Sequence, residues 1–387
     1  MARGMEKAPF AYPAHSGGVG RDACMAKNSG TAGLAACLGA IIGAGFASGR
    51  EVVAFFTRYG SHARWLILLS AAVMALLCAL CMDTARRRGT DRWWNLYDGM
   101  PPWVRTGARL CAAMMLAVTG GAMISASGWL AMLIWPVEWA YPVGAVGTLL
   151  TAWMVGRRGL GALGWISGLM TAALVGALLA VRLDSGESPA VLLSSESEPL
   201  FWAAVRSVAY AAMNLALAIG VVCRCAQGTG RRMALLCAGL GVALAALLWL
   251  SDGVYRQRPE LLSEAFPIVR LLARFGRTGF LVSAGLLFLA VFTSLAAVLC
   301  ALDEAARQHG PHLRAALALG PPLAVSLVGF EGIVDGLYTP AGLACLALVF
   351  VPLLWARRKL PLDNPRPIQY DRKKRTNDCT SERRPLR

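Results

Sequence analysis

The chain has 387 residues, of which 57% are hydrophobic and only 16% are charged, and its mean hydropathy is +0.54. A soluble domain needs more charge on its surface, so this composition excludes an ordinary water-soluble protein and indicates an integral membrane protein. The formal net charge of +16 comes from Lys and Arg residues that lie mostly between apolar runs and in the two tails. Nucleic-acid binding would need a basic face interleaved with polar and aromatic groups, so we expect no nucleic-acid partner.

The two tails differ in composition from the rest of the chain. Residues 1–29 contain Pro, Gly and charges but no apolar core of a signal peptide, which predicts a disordered cytoplasmic N-tail. Translation starts at Met1 or at Met25, since everything that predicts structure follows Met25. Residues 358–387 are basic and lack an apolar period, which predicts a disordered cytoplasmic C-tail. Its cations would hold the tail against an anionic leaflet, and binding of a partner is the alternative.

The transmembrane domain is predicted to cover residues 30–357, where ten apolar segments are long enough to cross about 30 Å of hydrocarbon. In chain order, predicted spans one to ten are 31–59, 63–83, 105–135, 139–155, 160–183, 200–224, 233–252, 279–303, 313–328 and 334–355. With the N-terminus inside, 28 of the 38 Lys and Arg residues fall in cytoplasmic loops and tails, as the positive-inside rule requires. The pattern therefore predicts an all-α, multi-pass protein with both termini in the cytoplasm.

Spans one and six carry residues that an uninterrupted membrane helix rarely contains. Span one has glycines at 39, 43, 45 and 49 followed by Arg50 and Glu51, and span six has Ser207, Tyr210, Asn214 and Gly220. Two halves of the domain, about 31–183 and 200–355, would have opposite orientations because they are offset by five spans. Matching interrupted helices in inverted halves indicate the central site of a secondary transporter, where substrate or ion satisfies the freed backbone. The alternative is that the glycines only allow close helix packing.

Glu51 is the most informative single residue. A carboxylate near the middle of a membrane costs roughly 3 kcal/mol on insertion scales and usually marks a pathway or pairs with a cation. The alternative is a helix-end charge in the outer vestibule, either solvated or paired with Arg206. Arg50 cannot be its helix-face partner, because adjacent residues point apart. We assign Arg50, Glu51 and Arg206 to coupling or gating.

Residues 43–51, GAGFASGRE, with Phe55, Phe56, Tyr59 and Gly60 after them, resemble the bacterial YkvI-like membrane protein family. The stretches 210–214 and 329–342 agree with that resemblance, which covers about residues 30–357. The family is placed in the amino acid-polyamine-organocation transporter superfamily, so the resemblance implies a LeuT-like fold of five plus five inverted helices, with the first and sixth helices broken. It implies substrate contacts at Gly43, Ala44, Gly45, Phe46, Ala47, Ser48, Gly49, Tyr210 and Asn214.

The same resemblance implies a candidate ion site. In sodium-coupled relatives the ion lies between carbonyls of the first helix and hydroxyls of the eighth, and a hard cation binds such oxygen ligands. The corresponding candidates for Na⁺ are Gly39, Ile42, Thr293 and Ser294. The alternative for the two hydroxyls is hydrogen bonding to their own helix. The family usually has a neutral polar residue where this chain has Arg50, so the charge of the substrate stays open.

These features predict a secondary active transporter in the bacterial inner membrane. It would carry a small amino acid or a related amine or carboxylate by alternating access, coupled to Na⁺ or H⁺, with the lipid bilayer and the small-molecule substrate as its partners. A ligand-sensing membrane receptor of the same fold, without transport, is the alternative. We expect no enzymatic activity, because the four histidines lie in the tail or loops and no Ser/His/Asp or metal-ligand spacing occurs within a span. Nothing in the sequence demands an oligomer.

Overall fold

A computed structural model describes residues 37–39, 41, 43–158, 163–184, 199–229, 232–306 and 309–359. The residues it describes are mostly helical, and none of them forms a β-strand. The helices are α1 Ala44–Ser48, α2 Arg50–Phe55, α3 Ala63–Arg88, α4 Pro102–Ile134, α5 Ala140–Arg158, α6 Leu163–Asp184, α7 Leu200–Thr229, α8 Met233–Arg256, α9 Pro267–Leu272, α10 Gly276–Ala305, α11 Pro311–Ser326, α12 Phe330–Gly332, α13 Tyr338–Cys345 and α14 Val351–Lys359. Short 3₁₀ segments cover Thr57–His62, Trp93–Tyr97, Pro259–Leu261 and Ala273–Phe275, and π-helical segments cover Ile333–Leu337 and Leu346–Phe350.

Within this described part, six helical stretches are long and apolar enough to cross a membrane. They are Thr57–Arg88, Pro102–Ile134, Leu200–Ala226, Met233–Arg256, Pro267–Asp303 and Phe330–Arg358. Large apolar side chains are exposed along them, and those of Trp65, Leu76 and Trp103 are 70–76% exposed. Such a surface suits lipid rather than water. The prediction of an all-α membrane protein is therefore confirmed, and the six stretches correspond to predicted spans two, three, six, seven, eight and ten.

The predicted spans four, five and nine coincide with α5, α6 and α11, which are not among these six stretches. Helix α5 has 19 residues and α11 has 16, against about twenty for a full crossing. In predicted span five the apolar helix within the described residues is Ala172–Leu183. The count of ten crossings therefore stays a prediction, as does the inverted repeat.

Span one is interrupted, as predicted, and the interruption has two joints. Gly43 has an extended backbone ahead of α1, and Gly49, with φ of 81°, separates α1 from α2. A left-handed backbone of this kind strongly favours glycine. We call residues 43–51 the span-one break.

Span six is not interrupted, so the prediction of a second broken helix is wrong. Helix α7 continues over 30 residues, and none of its glycines has a positive φ. Its polar side chains are satisfied without unwinding it: the Ser207 hydroxyl donates to the carbonyl of Leu66 at 2.6 Å, and the Asn214 amide donates to the carbonyl of Tyr210 at 3.0 Å. Polar residues indicate a break only when the helix backbone cannot supply their partners, and here the helices do supply them.

The last span has an irregular backbone at its N-terminal end. Gly329, with φ of 84°, separates α11 from α12, and a π-helical segment follows at Ile333–Leu337. Such widened turns often occur at functional sites. Further along, α13 packs directly on α7: a Cβ atom at Gly342 would overlap the carbonyl group of Ala209. An ion pair between Arg50 and Asp335 places the start of the last span beside the span-one break.

Candidate functional site

The Gly49 joint is formed by contacts with two other segments. The Gly49 amide donates to the Phe46 carbonyl at 3.0 Å, which closes α1. A Cβ atom at Gly49 would overlap the hydroxyl of Tyr255 in α8 and lie 3.2 Å from the Cβ of Pro267 in α9. Two separate constraints therefore require glycine at position 49: its positive φ and the lack of space for a side chain.

Ser48 connects the two sides of this joint. Its hydroxyl donates to the carbonyl of Gly45 at 2.6 Å and accepts the backbone amide of Arg50 at 3.1 Å. The side chain is buried. Ser48 therefore holds α1 against α2 through one donated and one accepted hydrogen bond.

Arg50 connects the span-one break to two other parts of the chain. Its guanidinium forms an ion pair with Asp335 at 2.5 Å and also donates to the carbonyls of Leu262 and Glu264, at 3.1 and 3.3 Å. The Arg50 side chain is 11% exposed and that of Asp335 is 35% exposed. The guanidinium thus ties span one to the π-helical segment of the last span and to the loop before α9.

Glu51 points away from Arg50, as expected for adjacent residues on a helix. It is 5% exposed, and its carboxylate lies so close to Gly45 that a Cβ atom there would overlap it. The hydroxyls of Tyr210 and Tyr338 are near enough to interact with the carboxylate electrostatically. Among the described residues, Glu51 has no hydrogen-bond or ion-pair partner, so the pairing with Arg206 that the sequence left open is absent. The carboxylate is buried in the break rather than solvated at its rim.

Tyr210 and Asn214 occupy adjacent turns of α7. The Tyr210 ring packs against the rings of Phe55 and Phe56, each with a centroid distance of 5.1 Å. Tyr210 thus reaches the break from the side of α2. The Asn214 amide donates to its own helix, as described above, so of these two residues Tyr210 is the one that the structure places beside Glu51.

The candidate sodium ligands are partly brought together. A Cβ atom at Gly43 would lie 3.9 Å from the hydroxyl oxygen of Ser294, so α10 does border the break. The Thr293 hydroxyl donates to the carbonyl of Ala290 at 3.1 Å, which is the back-bonding that the sequence allowed as an alternative. Ile42 lies outside the described residues, and Gly39 lies in the short helical piece 37–39. The structure places no group of three His, Cys, Asp or Glu side chains of the described chain where they could hold a metal ion.

Sequence reasoning missed three residues at this site: Asp335, Tyr338 and Tyr255. A signal for Asp335 was available, because an acidic residue within an otherwise apolar last span needs a cation, and Arg50 is a cation within an apolar first span. Tyr255 gave no such signal. Its position over Gly49 follows only from the packing of α8 against the break.

No protein-family model matches the chain. The chain is similar to an uncharacterized membrane protein, YkvI, of Bacillus subtilis (strain 168), with 25% identity over 329 residues, 81% of this chain and 92% of the relative. This similarity supports the resemblance to YkvI-like membrane proteins. The relative's description names no activity.

Proposed function

We propose that this membrane protein is a secondary active transporter for a small amino acid or a related amine or carboxylate, with its substrate site at the span-one break. The observation that carries the proposal is the buried Glu51 carboxylate. It lies against Gly45, which is between the two joints of the interrupted helix. Irregular backbone at membrane depth is tolerated where it lines a cavity or is buried in protein. A substrate or ion that enters the break would supply the missing polar partners.

The chemistry of the break favours a substrate with a cationic group. A buried carboxylate costs several kcal/mol unless a cation or a proton accompanies it. A protonated amine would form an ion pair with Glu51. The hydroxyl oxygens of Tyr210 and Tyr338 would accept hydrogen bonds from its remaining N–H groups. The backbone of residues 43–49, with its glycines, would contact the rest of the molecule.

Alternating access requires a barrier that opens on one side at a time. The Arg50–Asp335 ion pair is the proposed barrier on the outer side, because it joins the end of the span-one break to the last span. Opening would separate the two charges and expose Glu51. Arg50 and Glu51 are therefore assigned to gating and coupling, while Arg206 forms no hydrogen bond or ion pair with either of them among the described residues.

The finer features of the proposal go beyond the similarity to YkvI. They are a LeuT-like arrangement in which only the first helix is broken, a bacterial inner membrane with both termini in the cytoplasm, and coupling to H⁺ at Glu51 or to Na⁺ near Gly43 and Ser294. The distribution of Lys and Arg supports the orientation. The proximity of Gly43 to Ser294 supports coupling to Na⁺.

The first experiment is thermal unfolding of the purified protein with a panel of amino acids, amines and carboxylates, each with and without sodium. A ligand that binds only the folded state raises its stability, and we expect a cationic ligand to do so in the wild type and not in Glu51→Gln. A shift of equal size in Glu51→Gln would contradict the assigned site. Uptake of that ligand into sealed vesicles then separates the two functions, because binding without flux would favour a receptor.

A further inference from the structure

A cavity of about 360 Å³ lies away from the break, where the beginning of α3 meets the ends of α6 and α8. This volume is within the range of small-molecule sites. One arginine from each helix lines the cavity: Arg64 of α3, Arg182 of α6 and Arg256 of α8. Asp252 is the only acidic residue among those that line it. Three guanidinium groups therefore face one carboxylate.

That carboxylate is already committed to one of the three arginines. Asp252 is buried and pairs with Arg256 at 2.6 Å, one helical turn away in α8. The Arg64 guanidinium lies over the ring of Trp249 at 5.9 Å from its centroid. Within the described part of the chain, Arg182 forms no ion pair or hydrogen bond. Arg64 and Arg182 thus share a concave site in which neither is paired with a carboxylate of the described chain. A bound anion would offset the repulsion between their positive charges.

The surroundings of the cavity indicate where this anion comes from. Trp65 and Leu183, which follow Arg64 and Arg182 in the chain, are 72% and 82% exposed, and Trp249 is 44% exposed. Exposed Trp beside Arg is typical of the boundary between hydrocarbon and headgroups. Guanidinium groups bind phosphate oxygens through two parallel hydrogen bonds. We propose that the cavity binds the headgroup of an anionic phospholipid, with Arg64 and Arg182 on its phosphate and the acyl chains along Trp65 and Leu183.

Helix α8 connects this lipid site to the span-one break. Tyr255, the neighbour of Arg256, fills the space over Gly49, and Asp252 lies close to the hydroxyl of Thr57, just after α2. A headgroup in the cavity therefore stabilises the end of α8 that packs on the break. Lipid binding itself does not depend on the proposed transport and is measured without it.

The test is native mass spectrometry of the delipidated protein with phosphatidylglycerol, phosphatidylethanolamine or glycerol 3-phosphate. We expect the wild type to retain phosphatidylglycerol at about tenfold lower concentration than phosphatidylethanolamine, because the arginines repel the ammonium group of the latter. Arg64→Gln and Arg182→Gln should each weaken phosphatidylglycerol binding about tenfold, the effect of losing a charge-assisted hydrogen bond. Arg277→Gln is the matched control, since Arg277 is exposed at the start of α10 and does not line the cavity.

Three results would overturn the proposal: equal retention of the two lipids, wild-type binding in both cavity variants, or equal loss in Arg277→Gln. Displacement of phosphatidylglycerol by similar concentrations of glycerol 3-phosphate would identify a site for free phosphate esters and refute the assignment to lipid. Arg64 and Arg182 are exposed, so their variants should unfold at the wild-type temperature when lipid is absent. That measurement separates loss of binding from loss of fold.

Discussion

Replacing Asp335 with asparagine tests whether the Arg50–Asp335 ion pair closes the span-one break. The variant keeps the shape of the side chain but removes its charge, and Arg50 retains the carbonyls of Leu262 and Glu264. Removing one partner of a buried pair costs about 3–5 kcal/mol, and an exposed pair contributes about 0–1 kcal/mol. With Arg50 11% exposed and Asp335 35% exposed, we expect a coupling energy of about 1–3 kcal/mol between them.

A double-mutant cycle of Asp335→Asn and Arg50→Gln measures this coupling energy, with unfolding of the purified protein by a denaturing detergent as the assay. Arg270 and Glu264 provide the control, because their charged atoms are 3.7 Å apart and their side chains are 69% and 42% exposed. Their cycle should yield no more than about 1 kcal/mol. If the two single variants at Arg50 and Asp335 add to the double variant within about 0.5 kcal/mol, the ion pair does not close the break.

Three further predictions concern the break itself. Gly49→Ala should lower stability by more than about 2 kcal/mol, because the left-handed backbone alone costs about 1–2 kcal/mol and the new Cβ overlaps Tyr255; Gly285→Ala, a helical glycine with open space around it, should be neutral or stabilising in the same unfolding assay. In transport measurements, uptake by Glu51→Gln should lose the pH dependence of the wild type, and an unchanged pH profile would show that Glu51 carries no proton. Ser294→Ala should abolish any increase in ligand-induced thermal stabilisation caused by sodium, and a retained sodium response would place the ion elsewhere.

The single break distinguishes this chain from the symmetric arrangement that its sequence suggested. With α7 continuous, the polar groups that a second broken helix would have supplied must come from other elements. The π-helical start of the last span provides them here, through Asp335 and Tyr338, and α8 provides Tyr255. In the proposed transport cycle, α1 and α2 would move relative to the last span while α7 stays continuous.

Features that depend on neighbouring residues alone were predictable from the sequence. Long apolar runs identified the membrane-crossing helices, because crossing hydrocarbon requires about twenty apolar residues whatever their neighbours are. The break in span one was predictable for a similar reason, since Gly43 and Gly49 permit backbone conformations that disfavour a continuous helix. The opposite directions of Arg50 and Glu51 follow from the geometry of a helix.

Features that depend on distant partners were decided only by the tertiary structure. Whether Ser207 and Asn214 interrupt α7 depends on acceptors in α3 and in α7 itself, and the sequence does not say which acceptors come within reach. Packing likewise brought Asp335, which lies 285 positions further along the chain, to Arg50. The arginine cavity is formed by three helices whose lining residues are separated by more than sixty positions along the chain. Charge and burial at such places are set by which helices pack together, so they became visible only in the folded chain.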